Sequence, residues 1–418
     1  MTFYKMHTED MKQYHELDAN ATLDTYYQLA EMEQNAGKMK TVAEESFLYA
    51  QIKSMIEDNY DLGKVEEIYE IFGGYINKSF GVYTVKDGER HTWFFRKYMR
   101  HKDLNELMME HKLLLHARAN GFTKGAAPIP GRDGSTYYAT EQKMEDGFYE
   151  TWYFAVYEFI KGYDTYDWVN NDLPAKTYES IAVLYAELHN AVRDLDPEPY
   201  ARAEGSCNVL MTEFPADFRR YLTSYEERGY NNCFSQFFEE QQGYIKEMCQ
   251  KAIIPADDFN QLPICPLQCD FHPANVKYDE DGIVTGIFDF DWAKMDVRIF
   301  ELGLGMTYCF SSWNFESDGD LKLNDIINFM TVYNNRLAEL NGLTTFTDLE
   351  KKYFFEALLM GTLYLVRWAS EACYKDISLN PYEYLYYMQH EIRVLKWIES
   401  HEDEIREATM NIFDYINV

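Results

Sequence analysis

Residues 267–275 read Leu-Gln-Cys-Asp-Phe-His-Pro-Ala-Asn, and residues 286–293 read Gly-Ile-Phe-Asp-Phe-Asp-Trp-Ala. Between them, residues 279–282 read Asp-Glu-Asp-Gly, which is typical of a tight turn, and both flanks are patterned as β-strands. The two segments are therefore predicted to pair as a β-hairpin. This hairpin would fold Asp289 back beside the loop that carries Asp270 and Asn275.

Three oxygen-bearing side chains would then converge. Asn275 follows Asp270 by five residues, and Asp289 lies at the far end of the hairpin. Phosphoryl transfer needs one carboxylate to orient or deprotonate the attacking hydroxyl, and further oxygen ligands for metal ions that bridge the phosphates. Taken alone, an Asp and an Asn at this spacing also fit a polar loop with a helix cap. The neighbouring helix and hairpin patterns favour the chemical interpretation.

These residues resemble the motifs of the aminoglycoside phosphotransferase, choline kinase and homoserine kinase II superfamily, which read His-Gly-Asp-x-x-x-x-Asn and then Ile-Asp-Phe or Ile-Asp-Trp. The resemblance implies that Asp270 is the catalytic base, that Asn275 and Asp289 are metal ligands, and that ATP and Mg²⁺ are the cofactors. It also implies an α+β, protein-kinase-like bilobal fold. The chain departs from the motif at Gln268, in place of His, and at Cys269, in place of Gly. A Gln amide can donate a hydrogen bond similar to that of the His.

The hydrophobic patterning along the 418 residues agrees with a fold of two lobes. Residues 1–60 are predicted to form a helical extension, 61–160 a nucleotide-binding lobe, and 161–418 a helical lobe with the catalytic loop and substrate site. The predicted small lobe has a three-stranded meander over 65–98, a helix over 104–119, and two strands near 136–143 and 151–160. Helices of the large lobe are predicted over 178–192, 218–227, 234–248, 325–340, 349–371 and 381–399.

The small lobe contains candidate phosphate-binding residues. Gly73 and Gly74 lie between two predicted strands, where backbone amides could approach phosphates, although a tight hairpin explains the pair equally well. By resemblance, Arg96 is the phosphate-contacting cation. Lys97 is the alternative, because neighbouring strand residues point to opposite faces. Glu110 resembles the helix glutamate that pairs with this cation, with an exposed helix residue as the alternative.

Residues 155–162, Ala-Val-Tyr-Glu-Phe-Ile-Lys-Gly, resemble the hinge at which adenine meets backbone amide and carbonyl groups. The contact positions implied there are Glu158 and Ile160, and ordinary strand packing is the alternative. His189 resembles the His that ends a family helix. A single His on an apolar helix is more often a core residue than a ligand, so we expect a structural role for it.

The acceptor is predicted to be a small molecule. Only eleven residues separate Asp289 from Glu301, which resembles the closing acidic residue of the family, and this leaves no room for a peptide platform. Acidic and aromatic residues would suit an amino alcohol, aminoglycoside or amino sugar, although aromatic residues more often form core. Homoserine-like and neutral sugar substrates remain open. The candidate substrate residues are Asp291, Trp292, Asp296 and Arg298.

Composition excludes several other classes of protein. A net charge of -31 and a pI of about 4.7 oppose binding to nucleic acid or anionic lipid. Seven cysteines without a Cys-x-x-Cys pair favour reduced thiols and a cytoplasmic location. The sequence contains no apolar run of 18 residues, so no membrane span is predicted. A nucleotide-binding pseudokinase that acts through protein contacts, or an acidic helical scaffold, is the alternative function. The sequence leaves the oligomeric state open.

Overall fold

The computed structural model describes residues 48–71, 77–99, 102–143, 147 and 149–412. Within these ranges the chain forms two compact units. The first extends to Lys102 and takes in Pro128–Phe159, and the second consists of Asp103–Ala127 and the chain from Ile160 onward. The mostly antiparallel sheet of the first unit and the mostly helical second unit confirm the predicted α+β class.

The first unit contains a five-stranded antiparallel sheet with strand order β1-β2-β3-β5-β4. Its strands are β1 (Lys64–Ile71), β2 (Lys78–Lys86), β3 (Glu89–Lys97), β4 (Tyr138–Lys143) and β5 (Tyr149–Glu158). The predicted meander and the two later strands are therefore confirmed. Central positions of the sheet are aligned so that Phe80 lies opposite Phe95, and Phe95 opposite Val156.

Helix α1 (residues 48–59) covers one face of this sheet. Ile52 and Ile56 pack into a core with Phe80, Phe95 and Val156, all of which are buried. Burial of these apolar side chains is the main term that holds the helix on the sheet. Residues 48–60 of the predicted N-terminal extension are therefore part of the first unit, and residues 1–47 lie outside the described residues.

Helix α2 (Leu104–Ala119) has the predicted bounds. It belongs to the second unit, whereas the sequence predicted it in the small lobe. Asp103 caps its first turn through a side-chain bond to the Asn105 amide. His116 Nε2 lies 2.8 Å from Asp194 Oδ1, and Asn120 Nδ2 donates to the Ala191 carbonyl at 2.7 Å. These polar links to the chain after residue 190 explain why α2 groups with the helical unit.

The second unit contains ten further helices within the described ranges. They are α3 (Ala175–Val192), α4 (Cys207–Glu227), α5 (Cys233–Ala252), α6 (Ala256–Phe259), α7 (Arg298–Phe310), α8 (Leu323–Glu339), α9 (Asp348–Lys352), α10 (Phe354–Lys375), α11 (Pro381–Ser400) and α12 (Glu402–Met410). Helix α4 begins at Cys207, well before the predicted start at 218, because Ser206 caps it and Pro215 is tolerated inside it. The predicted helix 349–371 is two helices, which meet at Tyr353. None of the described helices is long and apolar enough to cross a membrane.

Helices α7 and α10 form the centre of this unit, and glycines permit their close approach. A Cβ added to Gly303 of α7 would lie 2.2 Å from the carbonyl oxygen of Ala357 in α10. Gly361 of α10 similarly faces the backbone of Leu304. The two helix backbones therefore touch where these residues lack side chains.

Substitution of Gly303 by Ala is expected to destabilise the protein. The added methyl group would overlap the α10 backbone, and such overpacking costs about 1–3 kcal/mol. The matched control is Gly243→Ala in α5, where a Cβ would meet no atom within 4 Å. That change should stabilise the helix by about 0.5–1 kcal/mol. Urea unfolding of both variants measures the difference, and equal stabilities would contradict the close approach.

Candidate active site

The loop that carries Asp270 and Asn275 lies between two short two-stranded sheets of the second unit. Strand β6 (Ile264–Leu267) pairs with β9 (Lys294–Val297), and Leu267 lies opposite Lys294. After a short 3₁₀ helix, β7 (Val276–Tyr278) pairs with β8 (Val284–Ile287), and Val276 lies opposite Ile287. The predicted hairpin is confirmed. Because Leu267 pairs with Lys294 and Val276 with Ile287, the start of each of the loops 268–275 and 288–293 lies beside the end of the other.

Asn275 connects these two loops. Its side-chain Nδ2 donates to Asp270 Oδ2 and to the Asp270 carbonyl oxygen, each at 2.8 Å. Its own carbonyl oxygen accepts a hydrogen bond from the Phe288 amide at 3.0 Å. Phe288 directly precedes Asp289. The structure therefore brings the three predicted oxygen-bearing residues together.

Gln268 makes a second connection between the loops. The side chain is fully buried, and its Nε2 donates to the carbonyl oxygens of Phe288 at 2.8 Å and Asp289 at 3.0 Å. Its Oε1 accepts a hydrogen bond from the Tyr185 hydroxyl. Burial raises the pKa of Tyr185 well above its usual range, which keeps this hydroxyl protonated. Gln268 thus fixes the backbone at Asp289 relative to the strand that leads to Asp270.

Two residues of the loops have left-handed backbone conformations. Cys269 has a φ of 58° and Asp289 a φ of 64°. A side chain in this region costs roughly 1–2 kcal/mol, whereas glycine adopts it readily. Cys269 stands at the position where the family motif has Gly. The left-handed conformation explains why the motif has glycine there. The left-handed turn at Asp289 sets the direction of the chain beside Asp270.

A buried carboxylate of α7 holds the loop from behind. Glu301 Oε1 accepts a hydrogen bond from the Cys269 amide at 2.7 Å, and its Oε2 lies 2.5 Å from His189 Nε2. His189 Nδ1 lies 2.7 Å from the Tyr333 hydroxyl. Both His189 and Glu301 are completely buried. The expected structural role of His189 follows from these contacts.

Aromatic packing supports the same loop. The ring of Phe271 stacks on Tyr185 with centroids 3.5 Å apart. Gly305 of α7 leaves the space that Phe271 occupies, because a Cβ there would lie 2.2 Å from the ring. His272 Nε2 lies 3.5 Å from Asp270 Oδ2, and its ring is 5.2 Å from that of Tyr308. The Asp270 side chain remains about one-fifth exposed, at 22%.

The predicted substrate residues separate into two groups. Asp291 and Trp292 lie in the loop 288–293, where Arg202 Nη1 donates to the Asp291 carbonyl at 3.2 Å. The Arg202 guanidinium also lies 4.5 Å from the Trp292 ring centroid. Asp296 and Arg298 instead lie in the interior, with exposures of 2% and 0%.

Asp296 and Arg298 are held by protein groups. Asp296 Oδ2 accepts from the Cys207 amide at 2.7 Å and lies 3.1 Å from Lys294 Nζ. Arg298 makes a two-point contact with Glu350, from Nε at 2.5 Å and Nη2 at 2.7 Å. Buried charges with such partners maintain the structure. We therefore leave both residues out of the substrate site, contrary to the expectation from the sequence.

The predicted nucleotide-binding residues are spread over both units. Arg96 is 4% exposed in β3, and Lys97 Nζ lies 4.2 Å from the Trp152 ring in the same unit. Glu158 ends β5. The second unit contains Ile160 and Glu110, and Glu110 is 2% exposed, so it is not a solvated helix residue. Gly73 and Gly74 lie outside the described residues.

Removal of the Glu301 carboxylate is expected to destabilise the second unit. Glu301→Leu would leave the Cys269 amide and His189 buried without their partner, and loss of one member of a buried pair costs about 3–5 kcal/mol. Glu247→Leu on the exposed side of α5 is the control and should change stability by about 0.5 kcal/mol or less. Urea unfolding of the two variants tests this, and similar midpoints would contradict the assigned role.

Comparison with solved structures finds the same fold in several phosphotransferases. An aminoglycoside phosphotransferase from Alicyclobacillus acidocaldarius is 14% identical, with a TM-score of 0.52, over 85% of this chain and 96% of that one. Amicoumacin kinase hAmiN, in complex with AMP-PNP and Ca²⁺, is 13% identical with a TM-score of 0.55 over 88% and 96%. Choline kinase from Cryptosporidium parvum is 13% identical with a TM-score of 0.54 over 83% and 93%.

A search of curated protein sequences found no match to this chain. The family comparison is decisive by contrast, because residues 70–325 match the model of the phosphotransferase enzyme family. That match covers more than half of the chain and contains Asp270, Asn275, Asp289 and Glu301. The chain therefore belongs to the phosphotransferase enzyme family.

Proposed function

We propose that this enzyme is an ATP- and Mg²⁺-dependent kinase that transfers the γ-phosphoryl group to a hydroxyl of a small molecule. The observation that carries the proposal is the hydrogen-bonded arrangement of Asp270, Asn275 and the Asp289 backbone on two adjoining loops. The side chains of Asp270, Asn275 and Asp289 bear the oxygen atoms that phosphoryl transfer requires.

Asp270 is the proposed general base. Its carboxylate is partly exposed, so it can reach a substrate hydroxyl, and the Asn275 amide fixes its orientation at 2.8 Å. A carboxylate held in this way accepts the hydroxyl proton as the new oxygen–phosphorus bond forms. Catalysis then comes mainly from positioning of the reacting groups and from stabilisation of the transition-state charge. This explains why many contacts around Asp270 fix the backbone of the loop.

The residues fit a hard divalent cation. The amide nitrogen of Asn275 is used by Asp270, which directs its oxygen Oδ1 away as a ligand. Asp289 supplies a carboxylate from the adjoining loop. Such oxygen donors suit Mg²⁺. Asn275 and Asp289 would hold the bound Mg²⁺, which would neutralise phosphate charge, and the chain's contribution is to keep these two residues close together.

The two faces of the sheet distinguish Arg96 from Lys97. Lys97 lies on the face covered by α1, since its Nζ is 4.2 Å from Trp152 and 6.0 Å from Phe154. Arg96 lies on the opposite face with Phe94, whose ring is 5.5 Å from the guanidinium. Because α1 occupies the Lys97 face, Arg96 is the proposed phosphate-contacting cation.

The short segment of chain after Asp289 supports a small-molecule acceptor. Strand β9 and helix α7 begin within nine residues of it, which leaves no platform for a peptide. Fold relatives are named for small acceptors: one structure is a spectinomycin phosphotransferase with ADP and spectinomycin, and another is a choline kinase. Aminoglycosides, amino sugars, amino alcohols and homoserine-like compounds form the panel to be tested.

Asp270→Asn should abolish turnover while nucleotide affinity changes little. Loss of a general base lowers kcat by about 10²- to 10⁴-fold, whereas Asp289→Ala should instead remove Mg²⁺-dependent nucleotide binding. Asp281→Asn, in the exposed turn between β7 and β8, is the control. Coupled ADP release and isothermal titration with Mg-ATP measure the two effects. Full activity of Asp270→Asn would rule out the base, and binding of Mg-ATP without transfer to any acceptor would favour a pseudokinase.

Gln268→Leu should lower kcat by about 10- to 100-fold, as loss of an outer contact to a metal site commonly does. The leucine cannot bond to the Phe288 and Asp289 carbonyls, so Asp289 would lose its fixed position. Gln268→His should retain more activity, because one ring nitrogen can still donate.

The control for Gln268 is Gln250→Leu on the exposed face of α5. Steady-state kinetics at varied Mg²⁺ concentration measure the effect. An unchanged kcat and Mg²⁺ dependence in Gln268→Leu would contradict the positioning role.

A further inference from the structure

Two lysines of the first unit face each other across the sheet. Lys78 begins β2 and Lys97 ends β3, and the two residues are directly opposite in the strand register. Directly opposed residues share a face of the sheet, with Cβ atoms about 4.5–5.5 Å apart, and like charges in such a pair are destabilising. The pair is therefore a local cost that the proposed chemistry does not explain.

Other cations of the same sheet differ from this pair, because they have acidic partners. Three cations on strands β1 to β3 each form an ion pair: Lys64 with Glu57, Lys86 with Asp61, and Arg90 with Glu67. Within the part of the chain that the structure describes, neither Lys78 nor Lys97 forms an ion pair. The chain has 70 acidic and 39 basic residues, so a shortage of carboxylates does not account for this.

The nearest carboxylates in the strand register leave the two lysines without compensation. Glu70 lies opposite Phe80, two residues beyond Lys78, and Glu150 precedes Trp152 by two residues on β5. Burial, followed by the charge of Lys78, lowers the pKa of Lys97 below its usual value. A carboxylate at Lys97 would have the opposite effect. The electrostatics thus agree with the geometry that the pair lacks a counter-charge.

Trp152 supplies a third donor beside the lysines. Lys97 Nζ lies 4.2 Å from the Trp152 ring centroid, so the ammonium group and the indole are in contact. The indole Nε1 is buried and donates to no acceptor among the described residues. Buried donors in native proteins are rarely left in this state. Because the lysine stem is flexible, rotation of Lys97 opens the indole edge to a ligand.

The chemistry of these three groups selects a phosphate group. They are all donors, and two of them are positively charged, so a dianion neutralises the pair. The ammonium group of lysine is a compact point charge, which suits a tetrahedral phosphate, whereas the planar fork of arginine matches a carboxylate. A carboxylate would also leave one of the two positive charges uncompensated.

We propose that Lys78, Lys97 and Trp152 form a binding site for a phosphate group at the edge of the sheet face that α1 covers. The phosphate oxygens accept hydrogen bonds from both ammonium groups and from the indole Nε1. Lys78 is exposed, and Lys97 and Trp152 are partly exposed, so the group can enter from solvent. Arg96 lies on the opposite face of the sheet, so this site is separate from the proposed nucleotide contact and does not rest on the kinase function.

Isothermal titration of the full chain with sodium phosphate tests the site, both with and without saturating Mg-AMP-PNP. The nucleotide occupies the proposed active site, so phosphate binding that persists in its presence belongs elsewhere. We expect saturable binding of phosphate in both cases and weaker binding of sodium acetate, which carries one charge. Comparable binding of methyl phosphate would extend the site to phosphate monoesters, and binding of inorganic phosphate alone would restrict it to the free ion.

Matched variants assign the binding to this face. Lys97→Met should weaken phosphate binding at least about tenfold, because a charge-assisted hydrogen bond is lost while the apolar stem is kept. Lys86→Met, at the other end of β2, removes the same charge and should bind phosphate as the unsubstituted chain does. Trp152→Phe keeps a ring beside Lys97 and should lose less affinity than Lys97→Met does.

Thermal unfolding separates a binding role from a structural one. In phosphate-free buffer, Lys78→Met should leave the melting temperature unchanged or raise it, because the like-charge pair is removed. Phosphate should raise the melting temperature of the unsubstituted chain and of Lys86→Met by mass action, and have no such effect on Lys78→Met.

Three results would overturn the proposal. One is phosphate affinity that is equal in Lys97→Met and Lys86→Met, and another is the absence of saturable phosphate binding to the unsubstituted chain. The third is loss of Mg-AMP-PNP binding in Lys97→Met, because Lys97 would then belong to the nucleotide site.

Discussion

The side chain of Gln268 is the interaction on which the proposed active site most depends. Its amide oxygen accepts a hydrogen bond from the Tyr185 hydroxyl, and its amide nitrogen donates to the carbonyl oxygens of Phe288 and Asp289. It is fully buried, where an unmade hydrogen bond is costly, so all three bonds restrict the same backbone. Gln268 thus links the two loops through one neutral side chain, in addition to the contacts of Asn275.

The helices behind the loop supply the stability that this arrangement needs. Cys269 takes up a left-handed conformation that disfavours side chains, and the Glu301 carboxylate fixes it there through the Cys269 amide. Helix α7 can bring Glu301 so close because Gly303 permits contact with α10 and Gly305 accommodates Phe271. Strain beside the proposed catalytic carboxylate is therefore offset by packing deeper in the same unit.

The local parts of this arrangement could be predicted from sequence, and the buried contacts could not. Turn residues 279–282 fixed the hairpin, and with it the approach of Asn275 to Asp289, because turn chemistry is local. Strand pair β6–β9 was missed, since each strand has only four residues and β6 contains Pro266. The early start of α4 was missed because Pro215 imitates a helix boundary.

Roles that depend on long-range partners were also out of reach. Asp296 and Arg298 stand close in sequence to the catalytic loops, yet their partners Cys207 and Glu350 lie far away along the chain.

The central claim is that Asp270, Asn275 and Asp289 together transfer a phosphoryl group to a small hydroxyl compound. Phosphorus NMR of Mg-ATP with the full chain and a panel of aminoglycosides, amino sugars, amino alcohols and homoserine-like compounds is a direct test. The γ-phosphate resonance should disappear in the presence of one acceptor class, with matching growth of the signals of a phosphate monoester and ADP. Mg-ATP that binds to the chain and remains intact with every acceptor would contradict it.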